Sequence, residues 1–328
     1  MAWAAKQQAS GGSTAGLIHL PSENKILLSA LTSRLHEGKR EPCELKISDF
    51  NDVTYKLVVP PEAPNMITLN VALRDWNNLK SNGAQAALDE AFPSCETSPE
   101  TGFDVAIVVN ADGLPKGPWG STGEACAREM ADIATLLVGG PFRATFKNFA
   151  DGKAAAKDCV QVNQHKATAD GGGDFYICQK ADRVTVIFAV DFADETDKAV
   201  CRVFLQEFVE AQRSVNNAPP CNYSRGAEPP MELSSIPNID QNPNIAGFLS
   251  FTLFKNHVET RPKMLNTIKL LISFTTYLQY HIKATKTYMH MRMRAKVTGL
   301  LQVLNRATQT GTEEKEKKTF GGKTFTRK

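Results

Sequence analysis

Apolar residues recur along this chain in two rhythms, and each change of rhythm marks an element. Leu27, Leu31 and Leu35 repeat every four positions between Ser22, read as an N-cap, and Gly38, read as a stop, which predicts a helix over about 23–37. Period-two alternation follows. Leu45 and Ile47 in CELKIS, Val53, Tyr55 and Leu57 in VTYKLV, and Ile67, Leu69 and Val71 in MITLNVAL predict three strands. The helical period returns over 73–92, with Trp76, Leu79 and Leu88 as its buried face, and 103–109 reads as a continuous apolar strand. A breaker-rich loop, GLPKGPWGSTG, leads to a helix over 124–138, which Gly139, Gly140 and Pro141 should end or kink.

The second half repeats this order. Strands are predicted over 159–165, 175–179 and 183–190, then a helix over 197–213 with Val200, Phe204 and Phe208 on one face, then a strand over 247–254. NNAPPCN and RGAEPP read as loops. The repeat is one of pattern, with no clear residue-level repeat beneath it. The predicted fold class is α+β: two similar two-layer α/β domains with mainly antiparallel sheets, followed by a long C-terminal helix. The divisions are 1–16 as a disordered extension, 17–150 and 151–262 as the two domains, 263–307 as the helix and 308–328 as a basic tail.

The last helix carries the most information. Leu271, Phe274, Leu278, Ile282, Met289, Met293, Val297, Leu300 and Leu304 fall on one stripe at three- to four-residue spacing. A helix over 263–307 is about 68 Å long at 1.5 Å per residue. A domain of about 100 residues is only roughly 34 Å across. One small domain cannot cover such a stripe, so a partner protein is expected over Leu278, Ile282, Met289, Met293, Val297, Leu300 and Leu304.

Charge sharpens this picture. The chain has 328 residues and a net charge of +3, yet residues 260–328 hold 15 Lys/Arg against 3 Asp/Glu, a net of +12, which leaves −9 for the rest. Thr260 to Thr312 contains nine basic residues and no acid. On a helix, Lys283, Lys286, His290 and Arg294 share an arc of about 80° beside the apolar stripe. A solvated face intersperses both signs through i, i+4 pairs. The absence of acids therefore points to an acidic partner: nucleic acid, an anionic membrane or an acidic protein.

Other chemistry is thin. The apolar run Leu270–Tyr280, 11 residues between Lys269 and His281, is too short to span a membrane. Seven cysteines, an odd number without a C-x-x-C pair, predict reduced and mostly buried thiols in a cytosolic protein, and neither they nor the six histidines show zinc-ligand spacing. GPWGSTGE at 117–124 lacks the Lys-Ser/Thr ending of a phosphate-binding loop, and DGGGD at 170–174 reads as a turn. No nucleophile–base signature is present, so no catalytic residue, metal or cofactor is predicted. The sequence predicts a binding or structural protein. A nucleic-acid-binding role for the basic helix is the alternative, although no RNP motif or zinc finger accompanies it.

DRVTVIF at 182–188, VFLQEF at 203–208, EPPMEL at 228–233, YHIK at 280–283, MRAK at 293–296, VLNRA at 303–307 and GKTF at 322–325 resemble subunit 2 of the actin-related protein 2/3 complex. The similarity extends, more weakly, through SPETGF at 98–103 and SDFNDVTYKL at 48–57 back to about Leu17. It implies two α/β domains of similar topology and a long C-terminal helix. It also implies a cytoplasmic, non-enzymatic subunit of a hetero-oligomer, which pairs with subunit 4, binds the side of the mother actin filament and supports branching. Under this resemblance the filament contacts are expected at Lys283, Lys286, Arg292, Arg294, Lys296 and Arg306, with Lys323 as a tail candidate. The chain departs from the family at its N-terminal extension, at Gly139-Gly140-Pro141, and at Gln212-Arg213, where paired arginines are common.

Overall fold

Alternation of burial along three consecutive strands, broken at the buried Asn70, builds the first sheet. β1 (Cys43–Ser48), β2 (Thr54–Val59) and β3 (Met66–Ala72) turn Ile47, Tyr55, Leu57, Val59, Ile67, Leu69 and Val71 to one buried face. The computed structural model describes residues 23–49, 53–115, 118, 120, 122–154, 157–162, 173–215, 218–234, 236, 239, 244–308, 317–318 and 324–325. The expected N-terminal extension, part of the GLPKGPWGSTG loop and most of DGGGD lie outside these residues.

The remaining elements follow in order. α1 (Lys25–Leu35) precedes β1; its N-cap is Asn24, whose side chain accepts from the Leu27 amide, and Gly38 beyond its end takes a left-handed φ of 75°. After β3 come α2 (Trp76–Leu79), a π turn (Lys80–Ala84), α3 (Gln85–Ala91), β4 (Glu96–Thr97) and β5 (Val105–Asn110). Then come α4 (Gly123–Ala131), α5 (Ile133–Val138) and α6 (Gly140–Ala150). The second half has β6 (Cys159–Val162), β7 (Phe175–Gln179), β8 (Val184–Asp191), α7 (Glu195–Gln212), β9 (Cys221–Arg225), β10 (Ile245–Leu253), α8 (Lys255–Val258) and α9 (Arg261–Thr308).

The strand orders are β1-β2-β3-β5-β4 in one sheet and β6-β7-β8-β10-β9 in the other, and every pairing in both is antiparallel. Adding five to each strand of the first order gives the second. The repeated order read from the sequence is therefore a repeated topology, and the fold is α+β.

Three elements differ from expectation. The helix expected over 124–138 divides at Asp132 into α4 and α5; it ends at Val138, as Gly139-Gly140-Pro141 predicted, with the Gly139 amide bonding the Thr135 carbonyl at 2.9 Å, and α6 starts directly, with Pro141 in its first turn. Gly139 is needed for space, since a Cβ there would lie 2.8 Å from Ile268 Cγ2 of α9. The expected 73–92 helix is broken at Gly83, whose φ is 114° and whose added Cβ would meet Ala144 Cβ of α6 at 2.8 Å. Cys221–Arg225, whose ends fall in the two segments read as loops, is the edge strand β9 on β10.

The chain forms two compact units, one ending at Ile282 and the other running Lys283–Lys328. Within the first, Phe142 of α6 stacks on Phe175 of β7 with centroids 4.8 Å apart, so the core is continuous between the halves. Within the second, α9 continues to Thr308 and two short strands, β11 (Lys317–Lys318) and β12 (Thr324–Phe325), pair antiparallel. No described helix is long and apolar enough to cross a membrane, and no group of His, Cys, Asp or Glu among the described residues could hold a metal ion.

The cysteines divide. Cys126, Cys201 and Cys221 are buried free thiols, pushed up by burial to about 12, 12 and 11. Cys159 and Cys178 correct the expectation of reduced thiols throughout: the β6–β7 register sets them opposite one another, and they form a disulfide.

Candidate functional site

The stripe of α9 serves two purposes along its length. Between Arg261 and Ile282 it belongs to the chain's own core. Phe274 packs against Phe188, Phe251 and Phe208 at centroid distances of 5.0, 5.2 and 5.9 Å, which seats the helix on the second sheet and on α7. Ile268 and Leu271 are buried beside it. Polar contacts fix the register. Lys269 forms an ion pair with Asp132 at the α4–α5 junction, and Arg261 joins Arg143 of α6 on Glu90 of α3 at 3.2 and 2.6 Å. Leu278 and Ile282, expected to meet a partner, are 1% and 0% exposed because this core already encloses them. They offer a partner no surface.

His281 stands at the end of this stretch, half-buried among Phe204, Tyr277 and Tyr280, with ring centroids 6.4, 4.3 and 5.4 Å away. Burial holds its pKa below the usual histidine value.

From Lys283 the helix carries the other face. Met289, Met293, Val297, Leu300 and Leu304 remain on one stripe and are 36%, 56%, 54%, 61% and 55% exposed. Five such side chains, each about half exposed, hold roughly 4–8 kcal/mol of unrealised burial, half of about 1.5–3 each. On a wheel of about 100° per residue, Lys283 and Arg294 border one side of this stripe, Arg292 and Lys296 border the other, and Lys286 falls within it. Arg306 lies further round. Arg292, Arg294, Lys296 and Arg306 are exposed, while Lys283 and Lys286 are partly buried. Arg292 rests over Tyr288, 5.4 Å from its ring centroid, with Nη1 donating to the Tyr288 hydroxyl at 3.2 Å. Thr287 and Thr298 turn their hydroxyls back onto the Lys283 and Arg294 carbonyls, both at 2.9 Å, so they add no polar interruption. Lys323 lies outside the described residues.

The sequence reading missed four exposed apolar side chains on this segment: Tyr288, Met291, Leu301 and Val303. They fall off the stripe, so periodicity alone would not select them. With them, the segment presents apolar side chains on more than one side. Chemically the surface can bury apolar area against another protein and attract acidic groups at its margins.

Comparison with known proteins agrees with a surface built for binding. The family model for the 34 kD subunit of the Arp2/3 complex, p34-Arc, matches residues 69–311. Actin-related protein 2/3 complex subunit 2 of Dictyostelium discoideum is 29% identical over 310 residues, covering 94% of this chain and 99% of that protein. Subunit 2A of the same complex from Arabidopsis thaliana is 30% identical over 304 residues, covering 89% of this chain and 91% of the relative. The chain belongs to the family of the Arp2/3 complex 34 kD subunit, p34-Arc, and is a structural subunit rather than an enzyme.

Proposed function

We propose that this chain is an actin-filament-binding core subunit of the Arp2/3 complex, working in the cytoplasmic actin cytoskeleton. It pairs with subunit 4 and contacts the side of the mother filament, and so supports nucleation of branched filaments. Each sheet with its helices, 17–150 and 151–262, forms one of its two domains.

The observation that carries this reading is the Lys283–Ala307 segment of α9. It combines an exposed apolar stripe with basic side chains on both margins and has no acidic residue. An apolar strip of this size is covered in a working assembly. The flanking cations suit the acidic surface of a filament, where rim charges steer docking and set its salt dependence. Met289, Met293, Val297, Leu300 and Leu304 are assigned to the subunit interface; Lys283, Lys286, Arg292, Arg294, Lys296 and Arg306 are assigned to the filament, with Lys323 of the tail as an outer contact.

The test is a reconstituted complex carrying Lys283→Gln, Lys286→Gln and Arg294→Gln. Assembly should be normal, while filament co-sedimentation weakens, by a few tenths to about 1 kcal/mol per charge, and its salt dependence becomes shallower. Unchanged co-sedimentation across salt concentrations would refute the filament assignment. Failed assembly would move these residues to the subunit interface.

A further inference from the structure

The disulfide lies on an edge strand that touches both halves of the first unit. β6 is four residues long and pairs only with β7 among the described residues. The side-chain amide of Asn78, in α2 of the first half, donates to the Gln161 carbonyl of β6 at 3.2 Å. The Gln161 amide in turn donates to Asp174 Oδ2 at 3.3 Å. Short edge strands open easily, since few hydrogen bonds hold them. A covalent tie at the first residue of β6 therefore decides how firmly this bridging strand is held.

We propose that Cys159 and Cys178 form a reversible dithiol–disulfide switch that responds to low-molecular-weight disulfides such as glutathione disulfide and sets the anchoring of β6. The proposal rests on the cytoplasmic reading above. In a compartment that keeps thiols reduced, protein disulfides are transient and redox-sensing rather than permanent.

Geometry gives the order of events. Cys159 is half-buried and within reach of solvent, whereas Cys178 is 2% exposed. The Cys159 thiolate attacks one sulfur of glutathione disulfide, its proton passing to solvent; a mixed disulfide forms and one glutathione thiolate leaves. The Cys178 thiolate then attacks the Cys159 sulfur, the protein disulfide forms and the second glutathione leaves. Two electrons pass from the protein to glutathione, and two protein thiols become one disulfide. The β6–β7 register already sets the two cysteines opposite one another, so the strands need not separate for the second step. The buried thiols of Cys126, Cys201 and Cys221, held protonated by burial, stay out of this exchange.

The test uses the full-length chain within its co-expressed assembly, equilibrated in glutathione buffers from fully reduced to fully oxidised. After acid quench and alkylation, mass spectrometry reads the fraction of linked Cys159–Cys178 peptide. The expected result is a reversible transition inside that range. It should be accompanied by slowing of β6 amide hydrogen exchange by about tenfold or more in the linked form. C178S should trap Cys159 as a mixed disulfide with glutathione. A pair that stays as thiols in glutathione disulfide, a bond that survives excess reduced glutathione, or β6 exchange indifferent to linkage would each overturn the proposal. None of these readouts involves actin, so this switch and the filament-binding reading can fail independently.

Discussion

Lys269 reaches from α9 to the carboxylate of Asp132, which is 10% exposed and sits where α4 gives way to α5. The second Asp132 oxygen is buried without a hydrogen-bond partner among the described residues, so the ammonium is its main compensation. Lys269→Ala leaves that charge buried without its main compensation. The expected loss is about 1–3 kcal/mol, below the figure for a fully enclosed pair because Lys269 is 43% exposed. Denaturant unfolding of the single variants and of the Lys269→Ala, Asp132→Asn pair checks this. The double variant should be more stable than the sum of the singles predicts.

The two ends of the apolar stripe should respond oppositely to truncation. Leu278→Ala removes a side chain that is 1% exposed and should destabilise the chain by about 2–5 kcal/mol. Leu300→Ala and Leu304→Ala touch side chains more than half exposed, and should leave the chain's own unfolding within about 0.5 kcal/mol. Their loss should surface in co-purification with partner subunits. Equal effects of all three on unfolding of the isolated chain would contradict this division.

Glu129 gives a pH dependence of definite sign. Burial raises its pKa first, and the neighbouring Asp132 charge raises it further. A carboxyl with a raised folded pKa binds its proton more tightly in the folded chain than in the unfolded one. Its charged form therefore opposes folding. This penalty is absent below the unfolded value, grows as pH rises between the unfolded and folded values, and is complete above the latter. Glu129→Gln should stabilise the chain at neutral pH, and the gain should vanish as pH falls below the ordinary glutamate range. Denaturation midpoints of both proteins across that range provide the measurement.

Alternation made the first three strands legible, because each residue's face follows from its position alone. Elements whose cause lies far away in sequence were less legible. Gly83 interrupts a helix because Ala144 and Gly140 of α6 crowd it, and Gly139-Gly140-Pro141 reads as a stop although Pro141 suits the first turn of the next helix. Both glycines are explained only once α9 and α6 are in place. The Cys159–Cys178 pair needed the strand register, which spacing of 19 residues does not give. On the candidate surface, residue types and stripe were readable, but the end of the core at Ile282 was not. The apolar period runs past it unchanged, and burial depends on what lies opposite.

The shared strand order of the two sheets leaves the same outer position, β1 in one and β6 in the other, without a second neighbour among the described residues. An unmatched row of amides and carbonyls invites a stranger's strand, and stacking of that kind leads towards fibrils. β1 meets the danger with charge, turning Glu44 and Lys46 outward where an incoming strand would have to desolvate them. β6 is shorter, and carries no charged residue in CVQV. Its guard is brevity together with a covalent tie to its neighbour. One plan used twice has thus acquired two different defences against the same hazard, and the second would weaken whenever that tie is reduced.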